Sequence, residues 1–202
     1  DSSPSRGLGD VYKRQVSDIA TALMRKRKEQ HGKRTLPSSE GGVDLCSNDF
    51  LGLARSTRLR SKTLEIYESL TVPNFNGGTG SRLVSGNSEL SVQLEDQLAD
   101  FYEEEAALVF SNGFVANYGL LQAVLSKGET VVYDENVHAS IREGVRAGQA
   151  TAFPFHHNDL NHLEARLQTV SKEGVFVIVE SLYSMDGDMA PLSAIGMLCE
   201  QY

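Results

Sequence analysis

An α/β architecture, a mostly parallel sheet with helices on both faces, is what this sequence predicts. Three observations carry it. From residue 106 onward, short apolar runs alternate with segments of helical period, the pattern of strands joined through crossover helices. The run Val-Phe-Val-Ile-Val at 175–179 is apolar at every position, as expected of a strand buried on both faces. Gly, Ser, Asn and Asp gather where the runs end, which is where turns need them.

The elements follow in order. Residues 16–31 read as a helix, with Val16, Ile19, Ala20 and Leu23 on one face. Residues 33–42 form a polar connector and 43–47 a short strand. Residues 57–70 are helical, with Leu59, Thr63, Ile66 and Leu70 in one stripe. A glycine-rich loop covers 76–86. A helix over 88–102 spaces Leu90, Leu94 and Leu98 by four. Strands are then expected at 106–110, 130–133, 152–155 and 175–179. Helices are expected at 113–126, 138–147 and 160–168, the last capped by Asn158 or Asp159. Pro191 opens a final helix. Residues 1–15 read as a non-native or disordered leader, 16–48 as an N-terminal helix and connector, and 49–202 as the first part of a large domain. A helix that closes on Tyr202 without a turn residue suggests that the domain continues.

Composition narrows the function. The 202 residues are 40% hydrophobic and 23% charged, ordinary for a globular chain. A net charge of -8 argues against nucleic acid, which meets basic faces. No run approaches the roughly 20 apolar residues that span a bilayer, and no signal peptide opens the chain. Cys46 and Cys199 show no metal-ligand spacing. Reduced thiols in a cytoplasmic protein are the expectation.

Four segments carry candidate chemistry. Ser111-Asn112-Gly113-Phe114 joins a strand to a helix, so free N–H groups and the positive helix end face one spot, as a phosphate requires. Such turns are also common as plain connections. The 77–87 loop holds four glycines and Arg82 but lacks the spacing of a dinucleotide or P-loop motif. His138 opens a helix just past a strand, where open α/β sheets bind ligands. His156 and His157 have no partner at metal spacing and read as structural or surface groups. Glu180 to Asp188 follows a strand at the same sheet edge. Its Asp-Gly-Asp offers too few ligands for a metal, and no metal site is expected. Glycine, serine, histidine and carboxylate groups thus collect at one edge, an active-site pattern.

Read together, these segments resemble the α-oxoamine synthase family. Ser47-Asn48-Asp49-Phe50-Leu51-Gly52-Leu53 is similar to the family's S-N-D-[YF]-L-G-L. Gly78-Thr79-Gly80-Ser81-Arg82, with Gly86, resembles G-[ST]-G-S-R-x-x-x-G, and Phe110 to Asn117 resembles F-x-[ST]-G-[FY]-x-A-N. His138-Ala139-Ser140 matches H-A-S, and His157-Asn158-Asp159 matches H-N-D. Ser184 to Asp188 and Ala190-Pro191-Leu192 match S-M-D-G-D-x-A-P-L. The order is the family's order from about residue 44 onward.

The resemblance implies the large domain of a fold-type I transferase dependent on pyridoxal phosphate (PLP). It implies Gly113 and Phe114 N–H groups on the phosphate, His138 stacked on the ring and approaching substrate, and Ser184 bonded to the cofactor. Asn48 and the 77–81 loop would shape the substrate site across a homodimer interface. Arg34, with Lys33 competing, is the candidate for the substrate's carboxylate or acyl group. The reaction implied is decarboxylative condensation of an amino acid with an acyl thioester. The family continues with D-E-A-H, then a Schiff-base lysine, and neither occurs here. Lys172, the only lysine after Lys127, sits in a Ser-Lys-Glu-Gly turn. These 202 residues alone are therefore expected to be inactive. A lysine-lacking, non-catalytic partner subunit is the alternative.

Overall fold

The computed structural model describes residues 8–32, 46–70, 77–170 and 174–202, with side chains from Val16 onward. The chain divides into two compact units, Asp1–Asn74 and Phe75–Tyr202.

In the first unit, α1 spans Leu8–Glu29. It starts eight residues before the predicted helix and takes in the second half of the expected leader. Residues 10–15 contain neither Gly nor Pro, so nothing there stops a helix from extending. A 3₁₀ turn at Leu53–Arg55 leads into α2, Thr57–Ser69. Ser56 caps α2 by accepting the Leu59 N–H at 3.1 Å. The predicted strand at 43–47 lies mostly outside the described residues, and Cys46 and Ser47 are not in a strand.

The second unit begins with the glycine-rich loop, which closes in a π turn at Arg82–Gly86. A Cβ on Gly86 would lie 1.9 Å from the Gly80 carbonyl oxygen. Only glycine lets the two ends of this loop meet. Helix α3, Glu89–Tyr102, is capped by Ser88, and α4 is Gly113–Val124. Then come β1 (Thr130–Asp134), α5 (Ala139–Ala147), β2 (Thr151–Phe155), α6 (Leu160–Thr169), β3 (Val175–Ile178) and α7 (Leu192–Gln201).

The sheet is parallel, in the order β2-β1-β3. Helix α5 carries the chain from β1 to β2, and α6 carries it back past β1 to β3. With the right-handed crossovers that parallel strands adopt, the two helices fall on opposite faces. Burial agrees, because Val131 and Val132 point to opposite faces and both are fully buried. Ile141 and Val145 of α5, Leu163 and Leu167 of α6, and Ile195 of α7 complete the core.

Two strand expectations are corrected. Residues 106–110 belong to no strand or ladder among the described residues. Leu108, Val109 and Phe110 are exposed. The run has the composition of a strand, but no strand pairs with it among the described residues. Its Val109 N–H donates instead to Glu95 Oε1 at 2.8 Å. The all-apolar 175–179 run forms β3, yet its residues are only half-buried. It lies at one side of the three-stranded sheet, and the central β1 is the buried strand.

Glu95 also holds the glycine-rich loop. Arg82 donates to it twice, Nη1 to Oε1 at 2.6 Å and Nη2 to Oε2 at 2.8 Å. The fork-to-fork bond with Arg82, and the Val109 N–H, draw the Glu95 carboxyl down to about 2. One carboxylate thus ties the loop to α3 and to the segment before α4. Glu95→Ala is expected to expose the 77–81 loop to proteolysis, cutting it at least several-fold faster in limited digestion. An unchanged cutting rate would show that the loop is held by other contacts.

Candidate active site

The C-terminal edge of the sheet collects the polar groups. Asp134 ends β1 and is almost fully buried. Its carboxylate accepts the N–H groups of Asn136 at 2.8 Å and Asn158 at 2.9 Å. It also takes His157 Nδ1 at 2.9 Å. Burial alone would raise this carboxyl, but the bonds from Asn158, Asn136 and His157 outweigh it and hold the group below the usual carboxylate range.

His157 lies between two carboxylates. Nδ1 faces Asp134, and Nε2 meets Asp188 Oδ2 at 2.9 Å. The hydrogen bond to Asp134 raises its pKa; burial opposes this, and Asp188 adds to the rise. The buried Tyr183 ring packs edge-on against His157, with centroids 4.5 Å apart. Asp186, Asp188 and His157 bring ligand-type atoms within 4.8 Å of one another. Both imidazole nitrogens are already engaged, so the arrangement is an ion-pair network. It joins the ends of β1, the β2–α6 loop and the β3–α7 loop.

His138 caps α5. Its backbone N–H donates to the Glu180 carboxylate beyond β3. The Ser140 N–H donates to His138 Nδ1 at 3.2 Å, and Ser140 Oγ lies 2.7 Å from the same nitrogen. Asn117 Nδ2 of α4 donates to Ser140 Oγ at 2.9 Å. The ring is exposed beyond these contacts.

At the start of α4, Asn112 Oδ1 accepts the Val115 N–H at 2.9 Å. The Gly113 and Phe114 N–H groups donate to no acceptor among the described residues, as first-turn donors do without a ligand. A Cβ built on Gly113 meets nothing within 4 Å. Two free N–H groups, the Ser111 hydroxyl and open space match the chemistry of a phosphate. The exposed His138 ring, tethered to the same helix through Ser140, supplies an aromatic face.

Of the predicted site residues, the structure links His138 to α4, whose first turn holds Gly113 and Phe114. Ser184 is exposed in the β3–α7 loop, between the Tyr183 and Asp188 that pack on His157. Asn48 is exposed in the first unit, and Arg34 lies outside the described residues. A shallow groove at Leu53, Ala54, Leu59 and Leu64 includes none of them. The sequence reading missed Asp134, Asn117, Ser140 as a partner of His138, and Glu180 as its anchor. Asp134 carried one signal, an acidic residue ending a strand at the ligand edge.

The fold and this edge define a member of the aminotransferase class I and II family. The chain belongs to that family, whose model matches residues 40–202. More narrowly, it is similar to 8-amino-7-oxononanoate synthase of Lysinibacillus sphaericus, 40% identical over 77% of this chain and 39% of the relative. It is similar also to the enzyme of that name from Thermoanaerobacter pseudethanolicus, 38% identical over 96% of this chain and 49% of the relative. Among solved structures it resembles serine palmitoyltransferase from S. paucimobilis with bound PLP and myriocin. The TM-score is 0.74 at 27% identity, over 97% of this chain and 51% of that one. Both names belong to the α-oxoamine synthase branch anticipated from the motifs. The chain spans 39–49% of the length of these two curated relatives. No helix among the described residues is long and apolar enough to cross a membrane.

Proposed function

We propose that this chain is the cofactor-binding portion of a PLP-dependent α-oxoamine synthase. The substrates we infer are L-alanine and a pimeloyl thioester, giving 8-amino-7-oxononanoate, the reaction of biotin biosynthesis. The observation that carries this reading is one hydrogen-bonded path. It runs from α4, whose first turn offers two open N–H groups, to the exposed imidazole of His138. Phosphate and ring of one cofactor are thereby served by one element.

When bound, PLP supplies an electron sink for the amino acid's α-carbon. This chain's residues do the rest of the positioning. Gly113 and Phe114 direct N–H groups at the phosphate. His138 covers the ring and faces the substrate. Ser184 bonds the cofactor, and Asn48 and Arg34 meet substrate. The complete protein acts as a cytoplasmic homodimer. The anchoring lysine and the aspartate that pairs with the ring nitrogen come from sequence other than these 202 residues, as the family pattern implies.

The likeness to serine palmitoyltransferase supports a second reading, in which the amino acid is serine. Glycine, used by glycine C-acetyltransferase and 5-aminolevulinate synthase, is the third choice within the family. Coenzyme A release by the complete protein, assayed with each amino acid and pimeloyl thioester, separates them. Turnover is expected with alanine and is expected to vanish in a polypeptide of these 202 residues alone. Turnover with serine or glycine but not alanine would replace the substrate and keep the reaction class. Turnover by the 202 residues alone would overturn the assignment of the lysine elsewhere.

A further inference from the structure

We propose that Asn117 and Ser140 are positioning residues that fix the tautomer and orientation of His138. This rests on the reading that His138 faces the cofactor, but its structural core does not. The backbone N–H of Ser140 points at His138 Nδ1 at 3.2 Å. A backbone N–H can only donate, so Nδ1 must accept. The ring proton therefore resides on Nε2, the nitrogen that faces away from α5. The Ser140 hydroxyl, 2.7 Å from Nδ1, has the same assignment to satisfy. It donates to Nδ1 and in turn accepts from Asn117 Nδ2 at 2.9 Å. Asn117 thus sets the direction of the hydroxyl, and the hydroxyl reinforces the tautomer. Ser140 is fully buried, so no solvent competes for its hydroxyl.

The packing of α4 on α5 makes the relay possible. Gly144 stands one turn after Ser140. A Cβ there would come within 3.0 Å of both the Asn117 carbonyl oxygen and Leu121 Cβ. A glycine lets α4 approach closely enough for Asn117 to reach Ser140. The helix that offers N–H groups to phosphate therefore also aims the imidazole. An Nε2–H directed outward is a donor for an oxygen of the substrate or cofactor, and a fixed donor costs no reorganisation when used.

The test is nitrogen NMR of the complete protein labelled at histidine, with the His138 signals assigned by loss in His138→Gln. In the parent, Nδ1 should resonate as an unprotonated, hydrogen-bonded nitrogen and Nε2 as a protonated one. Asn117→Ala and Ser140→Ala should draw the two shifts towards each other as tautomers mix. Turnover in both variants should fall through kcat, with KM for the amino acid nearly unchanged. Gly144→Ala should reproduce the Asn117→Ala signature. Thermal melts establish that each variant is folded. A parent with the proton on Nδ1, or folded variants with parental shifts, would overturn the relay. A parent with the expected tautomer that fails to bind PLP would leave the relay standing and remove the cofactor reading.

Discussion

Gly113→Pro in the complete protein is expected to weaken PLP binding by roughly 10- to 100-fold while leaving the melting temperature unchanged or slightly raised. Proline removes one backbone N–H and nothing else that α4 needs. Gly113 is the first helical residue after the Asn112 cap, the position where proline is favoured because its N–H has no helical partner. The residue before a proline must be extended, and Asn112 already has φ -165 and ψ 163. The cap from Asn112 to Val115 is untouched. What disappears is one hydrogen bond to a charged phosphate, worth about 1.5–3 kcal/mol, or about one to two decades of affinity. Gly113→Ala is the control, since it keeps the N–H. If Ala weakens binding as much as Pro, the glycine serves close approach and not donation. If neither variant changes PLP affinity in equilibrium titration, the phosphate is not held at this turn.

The parts of this fold legible in the sequence are those whose causes are local. Helix α2 announces itself through the stripe Leu59, Thr63, Ile66 and Leu70, spaced by three and four. Helix α6 does so through Asp159, which accepts the His162 N–H. The alternation after residue 113 gives the parallel order because crossovers leave few topologies. Illegible features depend on what lies alongside. The 106–110 and 175–179 runs share a strand's composition, yet one pairs with nothing described and the other occupies a sheet edge. Apolar content does not tell an edge from a centre. The candidate site divides the same way. Gly113, Phe114 and His138 sit in motifs that read in one dimension. Asp134 meets His157 across 23 residues and Asp188 meets it across 31, so their network exists only once β1, β2 and β3 are parallel. His157 read only as a structural or surface group within an H-N-D motif, because neither carboxylate lies near it in sequence.

That network leads to the second large effect, the loss expected from Asp134→Asn. The substitution keeps the shape of the side chain but turns one acceptor oxygen into a donor. Asp134 faces three donors, from Asn136, Asn158 and His157. The new amide must therefore oppose an N–H in a buried place, and His157 loses its buried counter-charge. Breaking a fully buried ion pair costs about 3–5 kcal/mol. His157 keeps 20% of its side chain exposed, so about 2–3 kcal/mol is the expectation here. The pH dependence identifies the cause. His157 has a raised pKa in the fold, so its contribution is complete below the ordinary imidazole value of about 6.5 and is lost as pH climbs through the raised one. Asp134 has a lowered pKa, so its contribution is present above the ordinary carboxylate value of about 3.9 and is lost as pH falls through the lowered one. Denaturant unfolding of the complete parent should therefore show stability declining as pH rises above the ordinary imidazole value and through the raised one. The decline should shrink in Asp134→Asn, because only Asp188 is left to favour the imidazolium. Glu135 and Glu180 lie near the same edge, and Glu135 also meets His156, so Glu135→Gln serves as a comparison that should leave that decline in place. A parental stability in Asp134→Asn, or the same slope in both proteins, would mean that the His157 bridge is not what ties the three loops together.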